Sequence, residues 1–435
     1  MEISFLGGAG EVGRSCIMVR QGNTKILLDA GIKLGDQTEY PKLEKGDIET
    51  VNAIFITHAH LDHCGFLPHI YTMGYEGFVY GTKPTNELVA VLIADYMHIS
   101  DPQDVSKEGL ARLSKSYRML KYGERFAIGE LTVKMIPAGH ILGSSLISVS
   151  DGKTTLLYTG DINLLRTKLL EGAEVKGLKA DVLITESTYG ASGDLFNHKD
   201  TTKKMMMSIK ETLLSGGKVV IPSFAVGRAQ EILLLLGDNM KSGIIPKVPI
   251  YIDGMINRAM RIHRHNVIYC REELQSSILM SDYDPFKNDN FVPVETKGQR
   301  SEVVEKEEAS IIVTTSGMIS GGPIIFYLSR MAGNSLNKLM LVGYQAQGTL
   351  GRRIQEGARE ININQKTIGF EMNVETYHLS AHADRRQLEN LMSDIKGLKR
   401  VFIVHGEPSK SEDLREKASK KYEATVPKMG EAYTL

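Results

Sequence analysis

Short apolar runs rich in β-branched residues, most of them closing on Gly or Asp, recur through the first 190 positions: ISFL, CIMV, KILLDAG, AIFITH, GFVYGT, LTVKMIPAGH, SSLISV, TTLLYTGD and DVLITES. Such runs read as strands. Helical periodicity interrupts them at 85–99 and again at about 109–121, so the pattern predicts packed sheets flanked by helices. From 191 to 373 the rhythm changes: helical stretches such as 200–214 and GRAQEILLLLGDNM alternate with KVVIPSF, PIYIDG, SIIVTTSG and KLMLVGYQ. That alternation is what βαβ units with a parallel sheet produce. From 374 the chain returns to strand, helix, strand (ETYHLSAHAD, RRQLENLMSDI, RVFIVHGEP) and then a Lys- and Glu-rich helix. Three segments follow: a core over 1–190, an insertion over 191–373, and the rest of the core over 374–435.

The ends of the apolar runs carry one kind of side chain. Asp29 closes KILLD, the cluster His58, His60, Asp62 and His63 follows AIFIT, His140 follows VKMIPAG, Asp161 follows LLYTG, Glu186 follows VLIT, and His405 follows VFIV. A lone His at a strand end is more often a satisfied polar residue than a ligand. Four ligand-type residues in the six positions of HAHLDH have few structural uses, and imidazole with carboxylate suits zinc. Alternation lets His58 and His60 point one way, with Asp62 and His63 on the turn beyond. We assign His58, His60 and His140 to one ion, Asp62, His63 and His405 to a second, and Asp161 as a bridge between them: two Zn2+ per chain. Paired ions at ~3.5–4 Å make a water nucleophilic near neutral pH.

Composition narrows the setting. At 435 residues the chain is longer than a single core usually grows, so two domains are expected. Cys16, Cys64 and Cys270 fit neither a disulfide framework nor a CxxC zinc site, which points to a reducing compartment. No leader pattern opens the chain and no apolar run approaches the ~20 residues of a membrane span, so a cytoplasmic location without membrane attachment is expected. Lys and Arg total 52, as do Asp and Glu, so a nucleic-acid partner must be held by a local groove. Between 191 and 373, 22 basic residues stand against 19 acidic ones.

The motif HxHxDH, the His after PAG, the Asp in TGD and the upstream Asp29 resemble the metallo-β-lactamase hydrolase superfamily. In that superfamily the last ligand follows the bridging Asp by several tens of residues, whereas here 244 positions separate Asp161 from His405. TESTYG (185–190), SAHAD (380–384) and VHGE (404–407) resemble the three extra motifs of the β-CASP nucleases, in which a second domain is inserted into the core and clamps nucleic acid. SFAVGRAQE, TTSGM and GYQAQGTLGRR resemble parts of that inserted domain. The resemblance therefore implies an α/β fold, an αββα metallo-β-lactamase sandwich with an inserted α/β β-CASP domain. His at the last motif favours RNA over DNA. PAGHILGS and SAHAD look closest to the nuclease subunit of the cleavage and polyadenylation specificity factor and its archaeal relatives. The chain starts at the first core strand and stops about 30 residues after His405, so the expectation is a short archaeal member without N-terminal KH domains.

The resemblance implies a ribonuclease hydrolysing phosphodiester bonds of single-stranded RNA, in RNA processing or decay. His382 is then the candidate general acid, Glu186 its carboxylate partner, and Asp62 a group that orients the attacking water as well as a ligand. The bland reading of His382 is a residue leading into the helix RRQLENL. Ser380, Arg228, Ser316 and Arg352 are candidate contacts to RNA, which would cross the cleft between domains; Gly turns that merely link strand to helix are the competing reading of the two Arg sites. Endonuclease action is preferred. The alternatives are a 5′-to-3′ exoribonuclease of ribonuclease J type, a silent RNA-binding scaffold, a small-molecule hydrolase and a DNA nuclease. There is room for a homodimer and for an RNA-processing complex.

Overall fold

The computed structural model spans residues 1–435. Described are all of them except Asp36, Asp101, Gln103, Asp104, Asp282, Asn364 and Gln365, together with the side chain of Ile99. Two compact units divide the chain: Met1–Arg166, Leu170–Leu195 and Ala381–Leu435 form the first, Thr167–Leu169 and Phe196–Ser380 the second.

The first unit is built on two seven-stranded sheets. One runs in the order Ala432–Thr434, Glu2–Gly7, Cys16–Gln21, Thr24–Leu28, Ala53–Phe55, Phe78–Gly81, Tyr117–Met119. The other runs Glu423–Thr425, Arg400–Ile403, Val182–Thr185, Thr155–Tyr158, Ser145–Ser150, Leu131–Pro137, Arg125–Ile128. Alternate residues face inward, Ile3 and Phe5 from one sheet meeting Val133, Ile147, Ile184 and Phe402 from the other in one buried cluster. The outer face of the second sheet, with Leu157, Leu183, Val401 and Ile403, packs on Leu388 and Leu391 of helix Arg385–Asp394 and on Leu414 of helix Pro408–Ala418. Thus the unit is an αββα sandwich.

Each sheet changes from antiparallel to parallel pairing part-way across. Thr24–Leu28, Ala53–Phe55 and Phe78–Gly81 are parallel neighbours in the first; Thr155–Tyr158, Val182–Thr185 and Arg400–Ile403 are parallel neighbours in the second. Parallel strands deliver their carboxyl ends to one edge, which is where α/β sheets bind ligands. Asp29, His58, Asp161, Glu186 and His405 all follow those ends within a few residues.

Two local expectations are corrected. The helix expected over 109–121 is Lys107–Ser116, followed at once by the strand Tyr117–Met119, which extends the first sheet parallel to Phe78–Gly81. A three-residue edge strand is too short to show a period of its own. The tail, expected as helix, also holds two short strands, of which Ala432–Thr434 pairs with the first strand of the chain.

The second unit has a six-stranded, wholly parallel sheet in the order Phe291–Val294, Ile250–Asp253, Ile311–Thr314, Val219–Pro222, Lys338–Leu341, Asn373–Thr376. Its central strands are buried at every position, which is why they read as unbroken apolar runs. Pro293 lies on the edge strand, where a missing N–H costs no ladder bond. At the end of Ile250–Asp253, the buried Asp253 accepts two hydrogen bonds from Arg300 (2.7 and 2.9 Å) and one from the Tyr327 hydroxyl (2.8 Å). Among the described residues no helix is long and apolar enough to cross a membrane.

Candidate metal centre

After Ala53–Phe55 the chain bends at Thr57 and again at Ala59 and His60, then winds into the four-residue helix Leu61–Cys64. His58 and His60 lie on the bent stretch, and Asp62 and His63 on the helical turn that follows. Two groups of ligand atoms result, each with all its members within 4.8 Å of one another: His58, His60, His140 and Asp161; and Asp62, His63, Asp161 and His405. Asp161 is common to both. Its Oδ2 lies 3.4 Å from His58 Nε2 and 3.6 Å from His140 Nε2, while its Oδ1 lies 3.4 Å from His63 Nε2 and 3.3 Å from His405 Nδ1. One carboxylate therefore turns one oxygen to each group.

The donors fit a cation. His58 Nδ1 donates to Thr57 Oγ1 (3.1 Å) and His140 Nδ1 to the Ala381 carbonyl (2.9 Å), so both Nε2 atoms present lone pairs. They meet His60 Nδ1 at 3.2 Å each, a convergence of nitrogens that a metal ion satisfies and a proton network does not. In the second group His63 Nε2 and Asp161 Oδ1 are buried 3.4 Å apart without a hydrogen bond to each other or to any other described residue. Nitrogen and carboxylate donors at this density make a metal-binding site.

Asp29 holds the second group from behind. Fully buried, it accepts from the Thr57 amide (2.7 Å), the Thr57 hydroxyl (2.8 Å), the Tyr158 hydroxyl (2.9 Å) and His63 Nδ1 (2.7 Å). The last bond fixes the tautomer that leaves His63 Nε2 inward. Asp29 and His405 both adopt positive φ (63° and 46°), a conformation costly for residues with a Cβ. His405 is held there by its amide donating to Gly8 and its carbonyl accepting from the Ser187 amide. Close backbone approach explains Gly31 in the DAG stretch: a Cβ there would lie 1.7 Å from the Asp62 carbonyl oxygen and 2.7 Å from the His63 nitrogen. Gly31→Ala must push the ligand turn outward, and metal titration of the variant is expected to show affinity weakened by about 10- to 100-fold, the range for lost ligand support.

Burial and neighbouring charge sort the imidazoles. Burial, aided by the positive charge of His63 beside His58 and of His382 beside His140, holds His58 and His140 well below the usual histidine range, and burial lowers His60. For His63 and His405, burial pulls the same way but the Asp161 carboxylate and its acidic neighbours outweigh it and raise both. Burial would raise Asp161; the surrounding His405, His63 and His382 hold it well below the carboxylate range instead.

A third group shares the same carboxylate: Asp161, Glu186 and His382. His382 Nδ1 donates to Glu186 (2.9 and 3.1 Å), and Glu186 Oε1 also accepts from the Ile162 amide (2.8 Å), one residue past Asp161. Burial lowers the His382 pKa, but the Glu186 and Asp161 carboxylates more than offset this and raise it to about 9. His382, His60 and Asp62 are the members only partly buried, so they line the open side.

Comparison with known proteins finds matches along most of the chain. Residues 18–188 match the metallo-β-lactamase superfamily domain, 229–354 the Beta-Casp domain, and 367–427 the Zn-dependent metallo-hydrolase RNA specificity domain. Curated proteins named transcription termination factor FttA are similar over nearly the whole chain: that of Methanocaldococcus jannaschii is 37% identical over 433 residues, covering 95% of this chain and 68% of that protein. That of Methanococcus maripaludis is 38% identical over 436 residues, covering 96% and 68%. The chain belongs to the β-CASP branch of the metallo-β-lactamase superfamily. A crystal structure of a protein of unknown function from Enterococcus faecalis shares the β-CASP fold at a TM-score of 0.62 and 14% identity, covering 100% of this chain and 99% of that one.

The candidate residues of the β-CASP unit have local arrangements of their own. Arg228 is buried and opens helix Arg228–Lys241 behind Gly227, whose φ is 82°. Ser316 Oγ donates to the Gly321 carbonyl and accepts from the Ser320 amide. Arg352 pairs with Glu356 at 2.6 Å, and Ser380 is the last residue of its unit. Sequence reasoning missed Thr57, Tyr158 and the Ala381 carbonyl. Each sits one to three positions from a residue it did name, and that adjacency was the available signal.

Proposed function

We propose that the chain is a two-zinc ribonuclease that cuts single-stranded RNA internally, and that it works on transcripts in the cytoplasm. The observation that carries the reading is Asp161 shared among three groups, two of ligand type and one in which the Glu186 carboxylate holds the His382 imidazole. Zinc bound in the first two would supply a water nucleophilic near neutral pH and positive charge for phosphate oxygens. His58, His60, His140 and Asp161 would hold one ion; Asp62, His63, Asp161 and His405 the other. Asp62, partly exposed beside His405 at 3.2 Å, would also orient the water. His382 would donate its proton to the leaving 3′-oxygen, held in place by Glu186. Arg228, Ser316, Arg352 and Ser380 would hold the RNA backbone. The match to a domain described by RNA specificity supports RNA as the substrate, and the relatives' name, transcription termination factor, supports transcripts as that RNA.

Glu186 is a positioning residue on this reading, and its charge sustains the raised His382 pKa. A general acid works only while protonated, so activity falls as pH rises through that pKa. Glu186→Gln removes the main attraction for the proton; kcat is expected to drop about 10²-fold and its alkaline limb to move to lower pH, with zinc content unchanged. An unmoved pH profile would remove Glu186 from this role.

The deciding experiment incubates zinc-loaded protein with internally and 5′-labelled RNAs bearing monophosphate or blocked ends. Internal fragments from both ends are expected. Mononucleotide release that needs a free 5′ end overturns the endonuclease reading, and intact RNA throughout overturns the nuclease.

A further inference from the structure

Asp161 and His382 head two short segments of the first unit, 161–165 and 382–387, that are bonded to each other. The Ala383 amide donates to the Ile162 carbonyl (2.6 Å), and the Leu164 amide donates to Gln387 Oε1 (2.9 Å). The first segment is fastened by two further bonds. The Ile162 amide donates to Glu186 (2.8 Å), and the Asn163 amide to the carbonyl of Ala138 (3.0 Å), two positions before His140. Ile162 and Asn163 are buried, so a bond lost there leaves a polar group that bulk water does not satisfy.

Gln387 differs from the other members of this set. It occupies the third position of helix Arg385–Asp394 behind the cap Asp384, whose side chain accepts from the Gln387 amide (2.9 Å). A Gln there commonly reaches back to the amide of its own cap, whereas the Gln387 oxygen serves the Leu164 amide, 223 positions away in sequence. Its Nε2 is buried with no hydrogen bond to any described residue, so the oxygen alone makes the contact. Of the four bonds that hold 162–164, only this one and that to Glu186 use a side chain. Glu186 also bonds His382 directly, which leaves Gln387 as the tie whose removal spares the reacting groups. The helix start keeps a separate anchor in Arg385, whose guanidinium donates to the Gly190 carbonyl and to Asp413 (3.1 Å).

We propose that Gln387 is a positioning residue that fixes the proton donor His382 against the bridging carboxylate Asp161. The proposal rests on the ribonuclease reading above. A proton donor must lie within hydrogen-bond reach of the oxygen it serves, and that oxygen is placed by the ligand groups that Asp161 joins. Gln387 ties the segment after Asp161 to the helix after His382, so the donor does not drift while the ligand groups stay where they are. A misplacement of about 1 Å is enough to cost about 10²-fold in rate.

The test uses the full zinc-loaded chain. It compares Gln387→Met, which keeps length and bulk but lacks a strong acceptor, with Gln387→Glu, which keeps an oxygen and suits the first turn of a helix. For Gln387→Met, kcat on single-stranded RNA is expected to fall by about 10²-fold, with KM little changed and zinc content equal to wild type. Its Leu164 amide should exchange hydrogen faster. Gln387→Glu should keep most of the wild-type rate. When the leaving 3′-oxygen of the RNA is replaced by sulfur, the thiolate departs without a proton, so Gln387→Met should cut that substrate at close to the wild-type rate. A merely structural role would slow both substrates alike and lower the melting temperature. Wild-type kcat in Gln387→Met overturns the proposal. So does a loss that the sulfur substrate fails to recover, a matching loss of zinc, or a Gln387→Glu variant as slow as Gln387→Met. If the unsubstituted protein holds zinc but cuts no RNA, the ribonuclease reading and the proposal fall together; RNA cleavage that ignores Gln387 removes the proposal alone.

Discussion

Asp161→Asn is expected to strip metal from both ligand groups in one step. The change keeps the shape of the side chain and removes its charge, so the loss cannot be put down to a cavity. Among the described residues Asp161 is the one common to both groups, with an oxygen 3.4 Å from His58 on one side and 3.4 Å from His63 on the other. It is also a principal anion holding His63 and His405 raised. Metal-to-protein ratio after equal loading should fall from two toward zero, whereas His60→Ala, which touches only the first group, should leave one. Cleavage should fall by about 10³-fold or more, since the several kcal/mol that bound ions contribute to charge stabilisation translate at 1.36 kcal/mol per factor of ten. Thermal melting gives an independent reading. Ligand at about 1,000 times its Kd stabilises a folded chain by ~4.1 kcal/mol, so zinc should raise the wild-type Tm and leave that of Asp161→Asn unmoved. A variant that still carries two ions would remove Asp161 as the bridge.

How much of this was open to reading from the sequence depended on where the information sits. HAHLDH announces itself because four ligand-type residues crowd six positions, and the remaining members could be found because each follows an apolar run. The parallel sheet of the inserted unit was legible for a related reason: strands buried on both faces, such as Val219–Pro222 and Ile311–Thr314, leave uninterrupted apolar runs. What stayed hidden is information that no local window contains. Asp29 gathers Thr57, Tyr158 and His63 from positions 28 to 129 residues away, and only the fold shows that one carboxylate serves three distant residues. The strand Ala432–Thr434 exists because Glu2–Gly7 offers it an edge at the far end of the chain. The hairpin of Glu360–Ile363 and Lys366–Gly369 hides in the alternation of ININ with short polar residues, where a strand and a polar loop look alike. The bond from Leu164 to Gln387, 223 positions apart in sequence, is of the same kind.

His382→Ala is expected to abolish RNA cleavage while leaving both metal equivalents in place. His382 stands outside the two four-residue ligand groups and is only partly buried; with its Nδ1 committed to Glu186, the proton for a leaving group would come from the other ring nitrogen. Loss of a positioned acid costs about 10²- to 10⁴-fold in rate. If His382 merely packed the entry to helix Arg385–Asp394, the variant would instead melt earlier and lose metal, because His140 leans on the neighbouring Ala381 carbonyl. A chemical rescue separates the two accounts more sharply than either measurement. RNA whose leaving 3′-oxygen is replaced by sulfur departs as a thiolate and needs no proton, so an enzyme lacking only its acid should cut it at close to the wild-type rate. The same substrate should largely rescue Glu186→Gln, which acts through His382, and should do nothing for Asp161→Asn, which lacks the metal. Wild-type turnover of ordinary RNA by His382→Ala would end its assignment as the acid, and failure of the sulfur substrate to rescue it would show that His382 does something other than deliver a proton.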